Sequence, residues 1–171
     1  MKVIGLCGLI GVGKTTVAEH LVKHHGYARV RFAGPLKDMA RVLLSERQID
    51  GDLKEAPSAI IGGKTPRQFM QLLGTEFGRQ MIDEDLWINA WKSRAFSLER
   101  VVADDVRYPN EVEALKSAGG FLIHIARAGV VQQGHASETQ KLAWDVNVVN
   151  DTTVPPFLAA IDALLSDKGL I

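Results

Sequence analysis

The stretch Gly8-Leu9-Ile10-Gly11-Val12-Gly13-Lys14-Thr15 restricts this chain more than any other, because it fits the pattern G-x-x-x-x-G-K-[ST] at every position. Before it lies the mostly apolar run Lys2-Val3-Ile4-Gly5-Leu6-Cys7, which reads as a buried strand. After it, residues 14–25 place Val17, Ala18, Leu21 and Val22 at helical spacing. Strand, glycine loop and helix in that order make an anion cradle. Gly8, Gly11 and Gly13 let successive N–H groups turn towards one centre. The first helical turn adds unpaired N–H groups and the positive end of its dipole. Such a loop predicts nucleoside triphosphate binding, with Lys14 reaching the β- and γ-phosphates and the Thr15 hydroxyl on Mg²⁺.

Composition narrows the setting. With 171 residues, 46% hydrophobic and 23% charged, one soluble domain with a good core is expected. A formal net charge of +0 argues against direct nucleic-acid binding, which goes with a basic excess. The single cysteine, Cys7, cannot form an internal disulfide and reads as a small core residue, which suits a reducing cytoplasm. The first strand begins at once, leaving no room for a signal peptide, and no apolar run approaches the roughly 18 residues of a membrane span. The expectation is a cytoplasmic protein without a membrane partner. A homodimer stays open.

Further along, residues 27–32 read as a second short strand, and Pro35 opens a helix carrying Leu36, Met39, Ala40, Val42, Leu43 and Leu44. The sequence loosens over 49–64. Thr65-Pro66 then starts another helix, with Thr as cap and Pro in the first turn, and Phe69, Leu72, Leu73, Phe77 and Met81 follow at roughly helical spacing. A further helix is expected over 85–96. Strands are expected at 100–104, 121–125 and 146–149, with helices at 109–118 and 154–165. Residues 127–141 are polar and too long for a tight connection, so they read as a lid. Alternating strands and helices predict a three-layer α/β domain with a parallel sheet. Analogy with small P-loop kinases gives five strands in the order 2-3-1-4-5. A crossover needs one helix, so the helices over 33–96 are an insertion at the open end of the sheet, within a single domain spanning 1–171.

Several side chains then acquire a chemical meaning. Asp104 and Asp105 end an apolar strand, where a carboxylate completes the metal site of a phosphate loop; alternation along the strand lets one of them face the metal, and the sequence leaves open which. Lys37, Arg67, Arg79, Arg107 and Arg127 fall on loops and helix starts around the expected ligand end. Each alone is an ordinary surface charge. Together they match phosphoryl transfer, in which several cations close on the developing charge. A hydroxyl acceptor needs a positioned base. A phosphate monoester, with its second pKa about 6, is already largely dianionic and needs cations instead, so the arginine set fits a phosphate acceptor better than a sugar. His20 and His24, four apart, read as a solvent-facing pair because no third metal ligand is evident. Trp87 and Trp91 read as core. Trp144 packs beside a base or closes the end of the lid.

Four further segments bring a family into view: Phe32-Ala33-Gly34-Pro35-Leu36-Lys37; Thr65-Pro66-Arg67-Gln68-Phe69-Met70-Gln71-Leu72-Leu73-Gly74-Thr75-Glu76; Asp105-Val106-Arg107-Tyr108-Pro109-Asn110-Glu111; and His135-Ala136-Ser137-Glu138. With the phosphate loop they resemble, in the same order and over nearly the whole chain, the deoxynucleoside monophosphate kinases found chiefly in tailed bacteriophages. The resemblance implies ATP and Mg²⁺ as cofactors and a deoxynucleoside monophosphate as substrate. It puts Gly11, Val12, Gly13, Lys14, Thr15 and Thr16 on ATP, together with Arg127 and with Asn150 in an adenine-side loop. It puts Lys37, Arg67 and Arg107 on the acceptor's 5′-phosphate, with Gln71, Glu111 and Trp144 also on the substrate side. Catalysis would rest on Lys14, Arg67, Arg107 and Arg127, and the metal on Thr15 with Asp104 or Asp105. The lid holds one arginine, Arg127, unlike the arginine-rich lids of adenylate kinases. The alternatives are another small P-loop kinase acting on dephospho-coenzyme A or a sugar, a nucleotide-hydrolysing accessory protein, and a binding protein that has lost catalysis.

Overall fold

The computed structural model describes residues 1–130 and 142–171. It divides into two compact units, Met1–Arg31 with Arg94–Ile171, and Phe32–Ser93.

In the first unit β1 (Lys2–Cys7), β2 (Ala28–Arg29), β3 (Arg100–Ala103), β4 (Phe121–Ala126) and β5 (Val146–Val149) form a parallel sheet in the order β2-β3-β1-β4-β5. The register pairs Gly5 with Ala103, Cys7 with His124 and Ala126 with Val149. Strands β1, β3 and β4 are covered on both faces, which is why they read as apolar runs without alternation. On one face Ile4, Leu6, Ile123 and Ile125 meet Val17, Ala18 and Leu21 of α1 (Lys14–His25) and Phe157, Ile161 and Leu165 of α7 (Val154–Asp167). On the other lies α6 (Pro109–Ser117), where Leu115 is fully buried. Cys7 is buried, and burial pushes its thiol up to about 12, an inert core group rather than a nucleophile.

The expected second strand over 27–32 is shorter than its sequence suggests. Only Ala28 and Arg29 pair with β3, although the Val30 N–H still donates to the Val102 carbonyl at 3.0 Å. The chain then turns into α2 (Gly34–Ala40), with Pro35 in its first turn.

The second unit is helical. Besides α2 it holds α3 (Glu46–Ile49), α4 (Pro66–Leu72) and α5 (Leu86–Ala95), and a short 3₁₀ turn at Ala59–Ile61. Its core joins Leu36, Ala40, Leu44, Ile49, Met70 and Trp87, and Phe32 stacks on Trp91 with centroids 4.7 Å apart. Thr65 caps α4 as its sequence predicts: Gln68 N–H donates to Thr65 Oγ1 at 3.2 Å, and Thr65 N–H to Gln68 Oε1 at 3.0 Å.

Beyond Leu72 the helix does not stay α-helical. Leu73–Ile82 is wound as a π-helix, whose i→i+5 bonds take more than 3.6 residues per turn. The apolar spacing read over Leu72, Phe77 and Met81 is thereby thrown off, and all three are exposed. A cause lies in α5. The Trp87 Nε1–H donates to the Gly74 carbonyl at 2.8 Å, and the indole lies across Gly78, where a Cβ would meet Trp87 Cζ2 at 2.6 Å and Nε1 at 2.7 Å. Gly78→Ala therefore destabilises this unit by about 1–3 kcal/mol through overpacking, despite the better helix propensity of alanine. Urea melts check this, and a variant as stable as the parent contradicts the packing.

Candidate active site

In the first unit, four groups expected on the ATP and metal side follow the carboxyl ends of the sheet strands. The glycine loop follows β1, Asp104 follows β3, Arg127 follows β4 and Asn150 follows β5. Parallel strands bring these turns to one edge, the usual ligand edge of an open α/β sheet. The loop is held by close approach. A Cβ at Gly8 would run into the Ile125 carbonyl oxygen, and Gly13 (φ 108°) leaves room for Asn150 Nδ2, 2.8 Å from where its Cβ would stand. That amide donates to the Val12 carbonyl at 2.8 Å, while the Asn150 N–H donates to Ala126 O at 2.7 Å. Asn150 is thus the buried strut that fixes the β5–α7 turn against the loop. The Lys14 ammonium donates to the Gly8 and Leu9 carbonyls at 2.7 and 2.6 Å. Gly11, Thr15 and Thr16 remain at least partly open to solvent and Val12 is buried beneath them.

The register also separates the two aspartates. Asp104 is buried and its Oδ2 accepts from the Thr15 hydroxyl at 3.4 Å; Asp105 is half-buried. Two ligands at right angles on an octahedral Mg²⁺, each about 2.1 Å from it, stand about 3 Å apart, so this pair of hard oxygens fits that ion.

Two residues of this site went unread in the sequence. Arg29 donates through Nε to Asp104 Oδ1 at 3.0 Å and through Nη2 to Oδ2; Arg31 donates through Nε to Oδ1 at 2.8 Å and through Nη2 to Oδ2 at 3.3 Å. Arg29 Nη2 also reaches the Thr15 hydroxyl at 3.3 Å. A guanidinium therefore bridges the very oxygens that suit a cation. Burial alone would raise the Asp104 carboxyl; the hydrogen bonds from Arg29 and Arg31 outweigh it and hold the group down at about 2. The missed signal is the alternation Arg29-Val30-Arg31, which puts both arginines on one side of an extended edge segment.

Arg107 is exposed, two residues beyond Asp105. Its loop is clamped by buried Glu111, whose Oε2 accepts from the Arg107 and Tyr108 N–H groups at 2.7 and 3.1 Å and caps α6. Glu111 thus positions Arg107. Arg127 is exposed just beyond β4; the rest of the expected lid, 131–141 with His135, Ser137 and Glu138, lies outside the described residues. Trp144 is exposed at the β4–β5 side of the sheet. It precedes β5, and its ring stacks on His124 with centroids 4.4 Å apart. His124 alternates with Ile123 and Ile125, so it projects from the sheet face opposite to α1 and α7.

In the helical unit Lys37 pairs with Asp50, and Arg67 with Glu55. Gln71 lies one turn beyond Arg67 on the same face of α4. His20 is half-buried rather than part of a solvent-facing pair.

Comparison with known proteins places this geometry. The family model for deoxynucleotide monophosphate kinase matches residues 48–159. A relative from Acanthamoeba polyphaga mimivirus, named as a deoxynucleotide monophosphate kinase, is 34% identical over 182 residues, covering 94% of either chain. The deoxynucleoside-5′-monophosphate kinase of Escherichia phage T5 is 32% identical over 85 residues, 44% of this chain and 34% of that one. Among solved structures, shikimate kinase from Aquifex aeolicus superposes with a TM-score of 0.59 at 13% identity over 99% of both chains. The Bacteroides thetaiotaomicron enzyme gives 0.54 at 15% identity, over 96% of this chain and 98% of that one. At such identities these two establish the fold. The family match and the full-length viral relative establish more: this chain belongs to the deoxynucleotide monophosphate kinase family.

Proposed function

We propose that the protein transfers the γ-phosphoryl group of ATP, with Mg²⁺, to deoxynucleoside 5′-monophosphates in the cytoplasm, giving diphosphates. The observation that carries the reading is the approach of the Thr15 hydroxyl to Asp104 beside an intact phosphate loop, in a chain of this family. An oxygen of the acceptor phosphate attacks the γ-phosphorus. The new P–O bond forms as the β–γ bridging bond breaks, and ADP leaves. The acceptor is already dianionic at neutral pH, so no side chain has to remove a proton.

Lys14 exchanges its two loop carbonyls for β- and γ-phosphate oxygens. The loop N–H groups of Gly11, Val12, Gly13, Thr15 and Thr16 hold the chain of phosphates. Arg127 closes on ATP from beyond β4, and Asn150 keeps the adenine-side turn in place. Mg²⁺ held by Thr15 and Asp104, with Asp105 behind, would neutralise charge on the β- and γ-oxygens.

Lys37, Arg67 and Arg107 hold the acceptor phosphate, with Gln71 on the same helix face as Arg67. The present partners of Lys37 and Arg67 do not oppose this. Asp50 and Glu55 are solvent-exposed; the Arg67–Glu55 surface pair is worth about 0–1 kcal/mol, less than a charge-assisted fork on phosphate, and in the Lys37–Asp50 pair the carboxylate is the more exposed partner.

Arg67→Met tests the assignment of the two substrate sides. The KM for the deoxynucleoside monophosphate rises about 100-fold, the loss of one bidentate contact worth nearly 3 kcal/mol, while the KM for ATP holds. A rise on the ATP side, or none, contradicts the acceptor role of Arg67.

A further inference from the structure

Away from the phosphate loop, three ligating side chains converge between the two helices that cover one sheet face. His20 stands midway along α1 and His25 ends it; Asp162 comes from α7. His20 Nε2 lies 2.9 and 3.0 Å from the two Asp162 carboxylate oxygens, and His25 Nε2 lies 3.0 Å from Oδ1. The coordinating atoms all fall within 4.8 Å of one another. The side chains are 15%, 21% and 33% exposed, so the cluster is sheltered yet open to solvent on one side. His24 stacks on the His20 ring, with centroids 4.9 Å apart, and is itself exposed.

Both imidazoles turn the same nitrogen to the same carboxylate. Two arrangements satisfy that geometry. Either each Nε2 carries a proton and donates it to Asp162, or both protons sit on Nδ1 and the two lone pairs and the carboxylate face a shared cation. In a tetrahedral zinc site, with metal–ligand bonds about 2.0–2.2 Å, ligand atoms stand about 3.3 Å apart. The imidazole–carboxylate separations need open by only a few tenths of an ångström to meet that value. Two imidazoles, one carboxylate and an open fourth position for water form a donor set for a borderline-soft ion, whereas Mg²⁺ takes oxygen ligands. Distance also separates the cluster from Thr15: His20 lies about 7.5 Å further along the axis of α1, at 1.5 Å per residue.

We propose that His20, His25 and Asp162 bind one divalent transition-metal ion of the zinc class, which fastens α1 to α7. The bond would join side chains 137 and 142 residues apart in sequence. It would tie the helix that carries Lys14 and Thr15 to the helix that follows Asn150. The expected consequence is a more stable nucleotide-binding unit, because an ion that binds only the folded chain raises its stability by mass action.

The test uses the full chain, stripped with chelator and kept in excess Mg²⁺ so that oxygen-donor sites are occupied. Zn²⁺ is then titrated calorimetrically and the melting temperature followed. One Zn²⁺ binds per chain and the melting temperature rises. His25→Gln and Asp162→Asn each weaken binding roughly tenfold or more. His24→Gln leaves affinity within about twofold, since it loses no ligand. Should Asp162→Asn fail to fold, His25→Gln, at the end of its helix, carries the test alone. No Zn²⁺ binding by the parent overturns the proposal, and so does binding that survives the His25 substitution. In either case the cluster is a proton-bridged staple only.

Discussion

Lys14→Ala abolishes most phosphoryl transfer and leaves the fold standing. In the unliganded chain the ammonium holds two carbonyls of its own loop, Gly8 and Leu9. Losing those contacts costs about 1–2 kcal/mol, since the charge is partly solvated and water replaces one partner. On the proposed mechanism the same ammonium faces charge developing on the γ-phosphoryl group during transfer. Removing one donor aimed at such charge costs about 10²–10³ in rate, and here the donor carries a full charge. A kcat about 10³-fold lower is expected, about 4 kcal/mol of barrier. The circular dichroism spectrum should match the parent and the urea midpoint fall only slightly. Turnover within about tenfold of the parent contradicts the role given to Lys14.

Asp104→Asn has two effects, one on chemistry and one on stability. On the proposed mechanism the chemical effect is loss of an anionic ligand beside Thr15, so that a higher Mg²⁺ concentration is needed for turnover and kcat falls. The second follows from burial. Asp104 is 4% exposed and accepts from both Arg29 and Arg31, so an amide leaves two guanidiniums facing each other over a neutral group. Breaking a buried pair in this way costs about 3–5 kcal/mol.

The sign of the pH dependence is fixed by the depressed carboxyl. Its pKa is about 2 folded against 3.8 ordinarily, so the folded state favours the ionised form. The stabilisation is complete above about pH 4 and is lost as pH falls through 2, amounting to about 2 kcal/mol. The gap between the urea midpoints of parent and variant should therefore narrow between pH 4 and 2, by about 2 kcal/mol of the difference. Parallel profiles would show that Arg29 and Arg31 do not hold the carboxylate.

The parts of this fold that were legible in sequence are those set by local rules. The phosphate loop is a fixed pattern, and its glycines are demanded by backbone geometry within a few residues. The Thr65–Gln68 capping box is likewise local. The strand order 2-3-1-4-5 came by analogy and is the order observed. What stayed hidden depends on partners distant in sequence. That Asp104 is buried against Thr15 while Asp105 is half-buried depends on how β3 packs beside the glycine loop, which the local sequence does not state. Arg29 and Arg31 meet Asp104 only through pairing across more than 70 residues. The π-helix over Leu73–Ile82 is braced by an indole from the next helix, a contact that no periodicity within the segment encodes. The partner of half-buried His20, Asp162, belongs to the last helix and is equally invisible from the first. The stacking of Trp144 on His124 likewise joins residues twenty apart, which no local pattern announces.

Coupled ADP release with ATP and Mg²⁺ tests the account most directly. Reactions without acceptor run beside each of the four common deoxynucleoside monophosphates, their ribose counterparts, dephospho-coenzyme A and gluconate. The account predicts turnover with one or more deoxynucleoside monophosphates, far above the rate without acceptor. ADP release that no nucleotide accelerates, or acceleration confined to dephospho-coenzyme A or gluconate, would contradict it.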